Sequence, residues 1–243
     1  MKIIKLGATE STNDYLKELM TLKRLPNFTV VTAHTQTKGR GQVSASWKSE
    51  PGKNLTFSVL KRHNSLYLDN HFLISMCVSC AVYEVLLNLG LPQLRVKWPN
   101  DILSGTSKIC GILIENSIAG QEIKTSVIGI GLNVNQVLFS NQAKASSLKL
   151  VLDREISLDS LLQTLLDTLQ RYLQNISSST WNSLLLQYEN ILFKKNIPAT
   201  FQELNGPLFM GIIKGITKEG KLRITIEDGT VKEYGLKEIK LRY

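Results

Sequence analysis

The sequence predicts an α+β chain, a β-sheet covered by helices and followed by a small all-β unit. Three observations carry that prediction. Leu94–Trp98, Ile109–Glu115 and Ile123–Ile130 are apolar, β-branched runs separated by turn residues, which reads as neighbouring strands. Leu158, Leu161, Leu162, Leu165, Leu166, Leu169 and Leu173 repeat at the spacing of one helix face. From about Lys195 the texture switches to short alternating strands punctuated by Glu219-Gly220 and Asp228-Gly229 turns.

In chain order, the first helix runs from about Thr12 to Leu22. Ser11 and Asp14 open it in a capping-box arrangement, and Tyr15, Leu16 and Leu19 give it an apolar face. Phe28 to Ala33 reads as a strand, His34 to Asn54 as a polar, glycine-containing loop, and Leu55 to Leu60 as a second strand. A helix follows from about Asn70 to Leu89, with Leu73, Met76, Cys77, Cys80 and Leu87 on one face, and Gly90 and Pro92 end it. After the three apolar strands, the leucine-striped helix and a second from Trp181 to Phe193 cover one face of the sheet. The strands at Gly211–Thr217, Leu222–Ile226 and Val231–Tyr234 suit a small β-barrel, so the chain divides into 1–194 and 195–243.

Composition narrows the class. An apolar share of 43% in 243 residues supports a real core and excludes a disordered chain. No uninterrupted apolar run approaches the roughly 18–20 residues of a membrane span, and the N-terminus has no signal-peptide pattern. Three cysteines do not make a disulfide scaffold, so a reduced, cytoplasmic protein is expected. The net charge of +9 points to an anionic partner or to a solvated surface.

Three segments carry candidate chemistry. In Thr35-Gln36-Thr37-Lys38-Gly39-Arg40-Gly41-Gln42, two glycines let backbone amides approach an oxyanion and Arg40 can fork onto it. The spacing matches neither a dinucleotide fingerprint nor a P-loop, and alone it reads first as an exposed turn. In Lys97-Trp98-Pro99-Asn100-Asp101, Pro99 ends a strand and presents Asn100 and Asp101. Lys108, seven residues on and just before an apolar strand, would pair with Asp101 across the hairpin, although an Asn-Asp turn and a surface lysine have the same spacing. Gly129-Ile130-Gly131-Leu132-Asn133 serves equally for close approach of a flat group, with Asn133 on a purine edge, and for a glycine bulge. Cys77-Val78-Ser79-Cys80 lies in an apolar helix and reads as core. His34, His63 and His71 lack metal-ligand spacing, so no protein metal site is expected.

Taken together, Ser11-Thr12-Asn13, Gln36 to Gly41, Lys97-Trp98-Pro99-Asn100-Asp101, Lys108-x-x-Gly111-Ile112-Leu113 and Gly129-Ile130-Gly131-Leu132-Asn133 resemble the motif series of the biotin protein ligases, also called biotin–[acetyl-CoA-carboxylase] ligases. The resemblance covers essentially the whole chain. It implies the class II aminoacyl-tRNA synthetase-like fold, a mixed, mainly antiparallel sheet with helices on one side, and a C-terminal SH3-like barrel. It also implies a two-step reaction with ATP, Mg²⁺ bound to its phosphates, and biotin. Biotin is activated to biotinyl-5′-AMP and then transferred to a lysine of a biotin carboxyl carrier protein or domain.

By that resemblance Arg40, Lys108 and Asp101 are catalytic. Ser11, Thr12, Asn13, Gln36, Gly39, Arg40, Gly41, Lys108 and Gly111 bind biotin. Arg40, Gln42, Trp47, Lys97, Asn100 and Asn133 bind ATP and the adenylate, and the Gly39 and Gly41 amides hold phosphate oxygens. The stretch Gln42-Val43-Ser44-Ala45-Ser46 departs from the family's usual loop, which implies looser closure over the adenylate. With ten residues before Ser11, no DNA-binding extension is expected, nor a membrane partner; an edge strand could support a homodimer. A lipoate–protein ligase would share the lysine but should lack Lys-Trp-Pro-Asn-Asp. A basic RNA-binding module would interleave aromatics with its basic residues, whereas Phe201, Phe209, Tyr234 and Tyr243 are scattered.

Overall fold

Alternation along the central strands sets the architecture. In the computed structural model, which describes residues 1–42, 45–139, 144–174 and 176–243, consecutive residues Val30/Val31, Val59/Leu60 and Val127/Ile128 fall into two different apolar clusters. Val30, Val59 and Ile128 join the main core, and Val31, Leu60 and Val127 join a smaller one with Leu16 and Leu25. A strand sends successive side chains to opposite faces, so the sheet is covered on both.

That sheet comprises β1 (Lys2–Thr9), β2 (Thr29–Gln36), β3 (Leu55–Tyr67), β4 (Leu94–Lys97), β5 (Asp101–Ser104), β6 (Ser107–Ala119) and β7 (Glu122–Leu132), in the order β1-β2-β3-β7-β6-β5-β4. The β1–β2 pair is parallel, with α1 (Thr12–Leu22) as its crossover; every other pair is antiparallel. The sheet is therefore mixed and mainly antiparallel, as the family resemblance implied.

The helical layers differ from expectation. Helix α1 packs on β2, β3 and β7, and α2 (Phe72–Asn88) packs on β4, β5 and β6. The cluster assignment puts α1 and the main core on opposite faces, so helices are not confined to one side. The leucine-striped α4 (Leu158–Gln174) and α5 (Trp181–Asn190) lie mainly against α2 rather than directly on the sheet. The reason is compositional. A helix that is apolar all round, as α2 nearly is, must be enclosed, whereas α4 has a single stripe and takes the outer layer. Leu87, placed on the buried face from sequence, is 50% exposed near the end of α2. The stretch Leu68–Asn88 is long and apolar enough to cross a membrane by length and composition, but 72% of its apolar window is buried inside the fold, as a core helix would be.

Beyond α3 (Leu148–Leu152), α4 and α5, a second sheet is formed by β8 (Pro198–Glu203), β9 (Leu208–Ile216), β10 (Leu222–Ile226), β11 (Val231–Tyr234) and β12 (Ile239–Arg242). Its order is β11-β10-β9-β8-β12, all antiparallel. β11 and β12 remain as unpaired edges, so the ladder is open. Phe201, Phe209 and Tyr234 stack in sequence on its inner side. Two side-chain hydrogen bonds help join this sheet to the rest of the chain. Trp98 Nε1 donates to the Gly220 carbonyl at 2.8 Å and Glu189 Oε1 accepts from the Ile216 amide at 3.0 Å. Gly220 sits at φ +79°, and any side chain there would run into the Phe72 ring.

Candidate functional site

The site is built on the α1 face of the sheet from side chains that are missing. Register aligns Asp101, Gly111, Gly131 and Thr56 in one cross-strand row, and Leu113, Gly129 and Ser58 in the next. Glycines at 111, 129 and 131 leave that face recessed, and a cavity of about 220 Å³ opens over it. A Cβ at Gly131 would lie 2.7 Å from Trp47 Cζ2, one at Gly111 would lie 3.2 Å from Trp47 Cζ3, and one at Gly129 would strike Asn13. The flat group that Gly111 and Gly131 admit is thus the Trp47 indole, laid over β6 and β7 from the 37–54 loop.

The N-terminus of α1 forms one end. Ser11 is the N-cap, accepting from the Asp14 amide at 3.4 Å. Thr12 donates through both its amide and its hydroxyl to Gln36 Oε1, at 2.8 and 3.0 Å. The buried Ser58 Oγ lies 2.6 Å from Asn13 Oδ1 and 2.7 Å from Thr12 Oγ1. Thr12, Asn13 and Gln36 are therefore tied into one polar array through Ser58, beside the Ser11 cap.

At the other end, Lys108 Nζ lies 2.6 Å from Asp101 Oδ1, the pair that the hairpin spacing suggested, and Lys108 also sits 5.7 Å from the Trp47 ring centre. Asn100 Nδ2 donates to the Ile112 carbonyl at 2.6 Å, pinning the turn. Arg40 is bound by carboxylates: its Nη2 donates to Asp14 Oδ1 at 2.6 Å and to Glu115 at 3.0 Å. Glu115 also accepts from Lys17 at 2.8 Å and Asn13 at 2.7 Å. Burial raises the proton affinity of Glu115, but these three donors outweigh it and hold the carboxyl below its ordinary value.

Of the residues named from sequence, Ser11, Thr12, Asn13, Gln36, Arg40, Gly41, Gln42, Trp47, Asn100, Asp101, Lys108 and Gly111 line this one cavity. Three do not. Gly39 lies behind the wall, its carbonyl accepting from the Trp47 amide at 2.8 Å. Lys97 faces a neighbouring hollow, 5.3 Å from the Tyr243 ring centre and 4.0 Å from Asp101 Oδ2. Burial pulls its amine below the ordinary lysine value, assisted by Lys108, Lys144 and Lys240 against Asp101. Asn133 follows the end of β7 and is buried, its Nδ2 donating to the Ser146 carbonyl at 3.0 Å.

The Gly41 amide donates to the Ala45 carbonyl at 2.7 Å, because the loop folds back on itself at an Arg40–Ser46 bridge, so that amide is already used. Val43 and Ser44 of the departing loop lie outside the described residues. Sequence reading missed Ser58, Lys17 and Glu115. The available signal was period-two alternation, which puts Glu115 on the same face as Gly111 and Leu113.

Residues 7–133, more than half of the chain, match the Biotin/lipoate A/B protein ligase family, and the chain belongs to that family. Among curated relatives it is similar to the bifunctional ligase/repressor BirA of Bacillus subtilis (strain 168), 29% identical over 213 residues, which are 86% of this chain and 65% of that one. It is 28% identical over 242 residues to BirA of Escherichia coli (strain K12), covering 98% of this chain and 73% of that one. The chain thus spans just under two thirds of the Bacillus relative. A solved structure of biotin protein ligase from Aquifex aeolicus in complex with biotin and ATP has the same fold, with a TM-score of 0.81 at 24% identity over 99% of this chain and 98% of that one.

Proposed function

We propose that this chain is an ATP-dependent biotin protein ligase that forms biotinyl-5′-AMP and passes biotin to a lysine of a biotin carboxyl carrier domain of a biotin-dependent carboxylase. The observation that carries this reading is the Lys108–Asp101 pair facing the same cavity as Arg40, in a member of the biotin/lipoate ligase family. In the first step a carboxylate oxygen of biotin attacks the α-phosphorus of ATP and pyrophosphate leaves. Two anions must meet, so the protein's work is charge neutralisation and positioning. The Lys108 ammonium offsets the carboxylate, and Arg40 exchanges Asp14 and Glu115 for phosphate oxygens, replacing one anionic partner by another.

In the second step the carrier lysine's nitrogen attacks the acyl carbon of the anhydride, AMP leaves, and the amine gives up a proton. Asp101 stands where it can orient Lys108 or that amine. The array of Ser11, Thr12, Asn13 and Gln36 is assigned to biotin's ureido ring. Trp47 Nε1 is buried without a hydrogen-bond partner among the described residues, and a ring nitrogen of adenine would accept from it. Mg²⁺ belongs with ATP; among the described residues no group of three His, Cys, Asp or Glu converges to hold a metal by itself.

The same proposal divides the chain into a catalytic unit over 1–194 and an SH3-like unit over 195–243. Its support is the separate five-stranded sheet and the aromatic stack of Phe201, Phe209 and Tyr234 inside it. The test is incubation with ATP, an apo carrier domain and labelled biotin or lipoate. Biotin should be attached and lipoate not, and Lys108→Ala and Arg40→Ala should abolish attachment. Attachment of lipoate instead, or undiminished transfer by both variants, refutes the proposal.

A further inference from the structure

A second hollow of about 610 Å³ lies between the far end of β3 and the C-terminal end of α4. Its walls include Lys61, Arg62 and His63 of β3 and Gln170 and Gln174 of α4, and no Asp or Glu occurs among its described lining residues. Three features distinguish it from an ordinary groove. Pairing of β3 with β7 runs to Arg62↔Thr125 and resumes at Leu66↔Ile123, so residues 63–65 stand opposite the single residue Lys124. Such a bulge re-aims side chains, and His63, Asn64 and Ser65 all line the hollow. Lys61 is only 8% exposed, yet among the described residues it has no hydrogen-bond or carboxylate partner; its Nζ lies 5.7 Å from the Phe28 ring centre. Phe28, on the same wall, is held at φ +59°, a left-handed conformation that costs an aromatic residue about 1 kcal/mol or more.

An enclosed ammonium with no anion beside it is a standing cost, and burial pulls its proton affinity below the ordinary lysine value. A bound anion removes that cost. The surrounding donors are more numerous than the two oxygens of a carboxylate can use: amides at Asn64, Gln170 and Gln174, the Ser65 hydroxyl, and Arg62, whose Nε and Nη2 only share the Leu25 carbonyl. We propose that this hollow binds a phosphate group, with Lys61 as its buried counter-charge. The site lies apart from the glycine-floored cavity and shares none of its residues, so it stands or falls independently of the ligase reading.

The test titrates the full chain, in a phosphate-free buffer, separately with inorganic phosphate and with ribose 5-phosphate. The His63 ring signals are followed by NMR, with the Trp47 indole as the reporter for the other cavity. Saturable movement of the His63 signals is expected. Tighter binding of the ester identifies a phosphorylated metabolite as the ligand, and equal or tighter binding of the free ion identifies inorganic phosphate. Lys61→Gln should weaken binding by about tenfold or more, the worth of one charge-assisted contact, while the protein's own activity is unchanged. Asn64→Glu, at an exposed bulge position, should do the same without altering a buried group. If neither probe moves the His63 signals at millimolar concentration, or if both variants respond as the parent does, the proposal is overturned.

Discussion

Lowering the pH from 7.5 to 5 should destabilise this protein through His63 in particular. Its imidazole Nε2 lies 2.9 Å from Ser126 Oγ, and that hydroxyl donates to Asn116 Oδ1 at 2.7 Å, so the ring serves as the donor in a chain running from β3 across β7 to β6. Burial, with Lys61 adding repulsion, pushes the imidazole down from 6.5 to about 4. The native ring therefore binds its proton more weakly than the unfolded one. Stability is full above about pH 6.5 and is lost progressively as the pH falls from there toward 4. Between pH 7.5 and pH 5 the linkage amounts to about 2 kcal/mol, and solvent reaching the ring through the open hollow trims it to about 1–2 kcal/mol. For a chain of this size that is about 2–8 °C in Tm. The assay compares melting of the parent and His63→Gln at both pH values. Carboxylates titrate alike in the two proteins, so the difference of differences isolates the imidazole. The same drop in both, to within about 1 °C, would refute the reasoning.

Two further outcomes follow from the site. Gly131→Ala puts a Cβ 2.7–2.8 Å from ring atoms of Trp47, where carbon atoms need about 3.5 Å, so the indole must shift by about 1 Å. Adenylate formation should fall about tenfold to a hundredfold with Tm nearly unchanged; a rate equal to the parent's would show that Trp47 has no such role. Glu115→Gln removes the carboxylate shared by Asn13, Lys17 and Arg40, whose replacement should cost about 1–2 kcal/mol and lower Tm by about 2–8 °C. Because Glu115 then no longer competes with ATP's phosphates for Arg40, the KM for ATP should fall. A higher KM would mean that Glu115 positions Arg40 rather than restraining it.

What the sequence made legible tracks how completely an element is enclosed. Helices α2 and α4 and strands β6 and β7 were readable because burial writes an unbroken apolar run or a one-face stripe. β1 was missed because it is a mostly solvent-facing edge strand whose lysines interrupt any pattern. The strands β5, β8 and β12 were not picked out from sequence. The strand read as Leu55 to Leu60 runs on to Tyr67, because the polar residues 63–65 form a bulge rather than an end.

The site shows the same division. Asp101 and Lys108 meet across a local hairpin, so their spacing sufficed. The partners of Arg40 come from α1 and β6, 26 and 75 residues away, and only the folded register brings them together. Lys97 and Asn133 share motifs with lining residues, but strand alternation and the end of β7 turn them elsewhere.

The recessed rows at 111, 129 and 131 have a consequence for how this protein should be surveyed. The hollow there is specified by atoms the chain does not contain, and a scan that trims side chains to alanine detects only atoms that can be removed. Such a scan would map the rim, Arg40, Trp47, Asp101 and Lys108, and would score the floor as bare backbone. A library that adds volume, one methyl group at a time, would find the floor first. For this chain the most informative mutations are enlargements.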